Sequence, residues 1–167
     1  MSASYKTTVD YIDKILKNAK QVDGKKVEVG ALKGEHQWLA GIHEYGCTIP
    51  VTDKMRAYLH RIGVHLKKST KVIIIPERSF LRAGYDDNRD DILRMASQLA
   101  GDVMGGTMTA DEFLETVGTQ LRDVIKDYAI ELSDPPKKDF PTSDPKKNNP
   151  LVVSGDMING IDYEIKG

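Results

Sequence analysis

The chain has 167 residues, 40% apolar and 29% charged, with a formal net charge of −1 and one cysteine. That length fits one domain with an appended arm, the lone cysteine excludes an internal disulfide, and no apolar run nears the ~18 residues of a membrane span. Charge is divided: residues 1–85 carry 15 Lys/Arg against 8 Asp/Glu and residues 86–167 carry 9 against 17, a division suited to head-to-tail contact but with no basic cluster dense enough for a nucleic-acid footprint.

Tyr5, Val9, Ile12, Leu16 and Ala19 recur at helical spacing and predict a helix over 5–20, ended by the Asp23-Gly24 turn pair. The opening MSASYKTTVD has no apolar core of a secretory signal, so a protein made in and staying in the cytoplasm is expected. From Lys25 to Leu32 the residues alternate, with Val27, Val29 and Ala31 on one side, as in a half-buried strand. A helix is expected from about Glu35, with Trp38, Leu39, Ile42 and Tyr45 facing inward and Gly46 as its left-handed cap. Cys47 to Val51 reads as extended, because Pro50 keeps Ile49 out of helical conformation. Asp53 to Ile62 reads as a helix with Met55, Leu59 and Ile62 inward. Val64 to Leu66 and Lys71 to Ile75 read as strands, and Pro76 stops the second.

The remainder is mostly helical. A helix over Asp86–Met104 opens on Asp86, Asp87, Asp90 and Asp91, whose carboxylates would complement its dipole. Gly105-Gly106 breaks it. Thr109 and Glu112 have the spacing of a capping box, and the apolar residues behind them predict a helix of ~22 residues, about 33 Å long. Residues 133–150 hold five of the seven prolines and read as a linker. Ile161, Tyr163 and Ile165 then alternate as a terminal strand that pairs with its own sheet or with a neighbour's. The organisation expected is a core over 1–132, a linker over 133–150 and an arm over 151–167. The expected fold is α+β, with a small antiparallel sheet packed with two long and several short helices.

No pattern for catalysis stands out. His43-Glu44 lacks the second histidine of a metalloprotease helix, since position 47 is cysteine. His36, His43 and Cys47 match no standard metal spacing. The glycines form neither a P-loop nor a dinucleotide fingerprint. No cofactor or metal is expected, and no enzymatic activity. Two dense tracts stand out instead, His43-Glu44-Tyr45-Gly46 behind Ile42, and Ile75-Pro76-Glu77-Arg78-Ser79-Phe80-Leu81-Arg82. Arg78 and Arg82, four apart around Phe80, are expected to project to one side as interface anchors, for which Arg and aromatic residues are enriched.

These tracts, with Val29-Gly30-Ala31 before them and Leu151 to Ile161 after, resemble in order and relative position the signature of the head–tail joining, or tail-completion, family of tailed bacteriophages, related to Mu-like virion morphogenesis proteins. Residues 51–74 stand where that family more often has a short loop, and Ser79 where it more often has proline. The resemblance implies a structural virion protein of the neck. Copies would associate as a ring, a hexamer or dodecamer, between the portal/adaptor protein and the tail terminator. DNA would pass through its lumen without sequence-specific binding. The contact residues it implies are His43, Glu44, Tyr45, Arg78, Phe80 and Arg82, with Gly46 and Pro76 fixing their backbone. Other readings are a tail terminator or other tail-proximal protein, a DNA-binding regulator using the basic half, and a zinc enzyme at His36, His43 and Glu44.

Overall fold

Apolar residues at spacings of three and four make most of this chain helical. The computed structural model describes residues 2–32, 36–136, 151 and 155–167, and of residues 2–10 and 36 only the backbone. Its elements run α1 (Ser2–Val22), β1 (Lys26–Ala31), α2 (His36–Tyr45), β2 (Cys47–Pro50), α3 (Asp53–Arg61), β3 (Val72–Ile75), α4 (Phe80–Gly105), α5 (Ala110–Glu131), α6 (Asp156–Asn159) and β4 (Ile161–Lys166). The fold is α+β. Strands β2 and β3 form an antiparallel ribbon with Cys47 opposite Ile75 and Pro50 opposite Val72, while β1 pairs with the terminal strand β4. The terminal strand therefore finds its partner within its own chain. No helix among the described residues is long and apolar enough to cross a membrane. Residues 137–150 of the expected linker, and 152–154 of the expected arm, lie outside the described residues.

The chain divides into two compact units, each assembled from separated segments. The first comprises residues 1–30, 85–124 and 162–167. Its buried residues include Ile92, Val103, Ala110 and Leu114, and Asn18 of α1 donates to the Val103 carbonyl of α4 at 2.9 Å. Gly118 of α5 lets the Tyr163 ring of β4 lie against the helix, since a Cβ there would stand 2.4 Å from the ring. The Tyr163 hydroxyl donates to the Glu115 carboxylate, and the Arg122 guanidinium lies 5.7 Å from the ring centroid. The second unit comprises residues 31–84 and 125–161, with Ala40, Phe80, Ile125, Ala129, Leu151, Met157, Ile158 and Ile161 in its interior. There α2 packs on α6.

Several expectations need correction. Trp38 and Tyr45 point outward, 66% and 68% exposed, and Ile62 is exposed as well. The inward face of α2 is instead set by Ala40 and Glu44, one helical turn apart and both buried. Val64 to Leu66 form no strand, because Arg56 donates to the carbonyls of Leu66, Lys67 and Thr70 and folds this segment back as a loop. Helix α4 begins at Phe80 rather than at Asp86. The four aspartates consequently sit a turn or more inside it, beyond the reach of the unpaired N-terminal amides. Those amides have another partner.

Candidate functional site

The two dense tracts meet. Antiparallel pairing of β2 with β3 brings Gly46, just before the first strand, beside Glu77, just after the second. Gly46 adopts φ +67°, a conformation that costs glycine little. A side chain there would have no room, because a Cβ would lie 2.7 Å from the Glu77 amide nitrogen and 2.9 Å from the Ile75 carbonyl oxygen. One step further, the Arg78 amide donates to the His43 carbonyl at 2.7 Å. Backbone thus closes on backbone for several residues past the end of the ribbon.

Side chains complete the closure. The Glu44 carboxylate, 2% exposed, accepts from the Leu81 amide at 2.9 Å through one oxygen. Its other oxygen accepts from the Arg82 amide at 3.1 Å and from Arg82 Nε at 2.9 Å. Glu44 is therefore the N-terminal cap of α4, supplied from a different helix. A buried carboxylate is expensive unless paired and hydrogen-bonded; here the helix N-terminus and the Arg82 guanidinium both compensate it. Arg82 Nη2 also donates to the Glu44 carbonyl at 3.1 Å and to the Glu77 carboxylate at 2.6 Å. These two carboxylates hold the Arg82 pKa above its ordinary value, the Glu44 bond being the larger cause. The guanidinium lies 4.9 Å from the centroid of the outward Tyr45 ring, within cation–π range.

Arg78 takes a different course from Arg82, contrary to the expectation that both project together. It lies in the extended residues between β3 and α4 and is 6% exposed. Its Nε donates to the Pro135 carbonyl at 2.9 Å and its Nη2 to the Pro136 carbonyl at 3.2 Å. Nη1 lies 3.3 Å from His43 Nδ1. Guanidinium carries donors only, so His43 Nδ1 is the acceptor of that contact. Burial lowers the Arg78 pKa from its ordinary value. Phe80 is wholly enclosed.

Of the eight singled-out residues, Glu44, Arg78 and Phe80 are thus occupied within the chain, and Gly46 and Pro76 shape backbone between elements. Tyr45 and Arg82 face outward, His43 lies between. Glu77, which sequence reasoning did not single out, belongs with them through its bond to Arg82; its place in the tract beside Arg78 was the available signal. Among the described residues no three His, Cys, Asp or Glu side chains are placed to hold a metal ion. An open, largely apolar groove of about 480 Å³ in the first unit is lined by Leu16, Val103, Met104 and Phe113, with Lys20 and Asp23 also on its wall. What remains is a clasp, rigid inside and presenting an aromatic, a guanidinium and a carboxylate outside.

Compared with protein-family models, with curated proteins and with solved structures, the chain matches none.

Proposed function

We propose that the protein is a structural subunit of the tailed-phage neck. Copies of it form a ring joining the portal/adaptor side of the DNA-filled head to the tail terminator, with DNA passing through the lumen. The reading assigns no reaction and no cofactor. Its sequence support is the order of the four tracts. The observation that carries it is the clasp, in which buried Glu44 and Arg78 fix the backbone while Tyr45, Arg82 and Glu77 face outward. Tyr and Arg are the side chains that most often anchor interfaces. Holding them in place beforehand reduces the ordering cost of association.

Placement in the particle tests the proposal. Labelled antibody on purified virions should mark the head–tail junction, and loss of the protein should leave filled heads and free tails. Label confined to detached tails would move the assignment to a tail terminator. Finished particles without this chain would refute it.

A further inference from the structure

Between Cys47 and Ile75 stand six Lys or Arg against one Asp, a net +5. Arg56 is engaged inside the segment, where its three bonds to the Leu66, Lys67 and Thr70 carbonyls fix the loop. Lys54, Arg61, Lys67, Lys68 and Lys71 are exposed on that fixed frame. Beside them the ribbon turns the pairs Thr48–Ile74 and Pro50–Val72 outward, with Ile74 62% exposed. A two-stranded ribbon with such a face is marginal alone, and among the described residues no third strand pairs with it.

A surface of opposite character lies on α4. Asp86, Asp87, Asp90 and Asp91 are all exposed, and with Arg89 they give residues 86–91 a net −3. Arg94 pairs with Asp91 at 3.0 Å. Leu93, also exposed, follows Asp90 by three and Asp86 by seven, so all three share one helix face.

We propose that these surfaces are the two halves of one contact between copies of this chain. The basic segment 47–75, tipped by Val72 and Ile74, docks on the acidic first half of α4 in the next copy. The proposal rests on the neck reading for its partner, a second copy. Opposite potentials orient the encounter, and the exposed Ile74, Val72 and Leu93 supply apolar surface to bury. Because unlike surfaces meet, the contact repeats and either closes as a ring or continues as a filament.

Sedimentation of the purified full chain tests this. Concentration-dependent assembly is expected at low salt and its loss in about 1 M salt, where charges are screened beyond ~3 Å. Lys67→Glu with Lys68→Glu, or Asp86→Lys with Asp90→Lys, should each weaken assembly by about tenfold or more, a change of at least about 1.4 kcal/mol. Mixing the two variants should restore association, since each retains the surface the other lacks. Ile74→Ser, which removes apolar surface and leaves the charge unchanged, should weaken it without altering the salt dependence. Circular dichroism establishes that each variant is folded. A chain that stays monomeric at every concentration and salt, or assembles regardless of both charge reversals, overturns the contact and leaves virion placement as an independent test of the neck reading. Absence from virions with assembly intact would refute the neck reading alone.

Discussion

Gly46 and Glu44 are the residues on which the second unit turns. At Gly46 a side chain would combine left-handed strain with collision against the backbone of Ile75 and Glu77. Gly46→Ala should therefore cost at least about 2 kcal/mol, read as a lowered urea midpoint with unchanged slope. Glu44→Ala would strip the cap from α4 and leave the Leu81 and Arg82 amides without their acceptor. A loss of about 2 kcal/mol is expected, equivalent to a fall in Tm of roughly 4–8 °C for a chain of this size. Glu44→Gln keeps one amide oxygen as acceptor and should fall between wild type and Glu44→Ala in the same melt. The sequence announced both residues as members of a dense tract. It gave no sign that Glu44 points inward, because the partner amides lie nearly forty positions away and carry no side-chain signature.

Among the elements, α5 was the most legible, since its cap and its stripe are both local. Thr109 and Glu112 form the expected box, with the Glu112 carboxylate accepting from the Thr109 amide at 2.9 Å and Thr109 Oγ1 accepting from the Glu112 amide at 3.2 Å. The Thr109 amide bond, and then the hydroxyl bond, hold the Glu112 pKa below its ordinary value. With the folded pKa below the unfolded one, the contribution is complete above the unfolded carboxylate range and disappears as pH falls through the folded value. Thr109→Ala should raise the Glu112 titration midpoint in a carbon-detected NMR experiment and flatten the acid limb of stability. Helix α4, which starts at Phe80, resists local reading for the converse reason. Its true start depends on Glu44, and four aspartates deeper in the helix imitate an N-terminal turn. Gly118 was invisible for the same reason, its value lying in the Tyr163 ring laid across it. Gly118→Leu should lower Tm by several degrees, consistent with overpacking costs of about 1–3 kcal/mol.

For the molecule as a whole, alternation and helical spacing identified an α+β chain but not its division. Each unit is gathered from segments far apart in sequence, and such closure leaves no local pattern to read. The first unit needs its last six residues: β4 pairs with β1, and Lys166 forms an ion pair with Glu28. Deleting residues 161–167 should lower Tm and broaden the transition, since β1 loses its partner and Gly118 its covering ring. Calorimetry on the truncated chain checks this, and an unaltered melting curve would mean that the terminal pairing contributes nothing to cooperativity.

The cap that Glu44 lends to α4 also equips the chain with its own gauge. Two protons, on the Leu81 and Arg82 nitrogens, are shielded only while a carboxylate from another helix covers them. Their deuterium uptake would time how often the tracts part, and any ligand that steadies the closed form would slow both together.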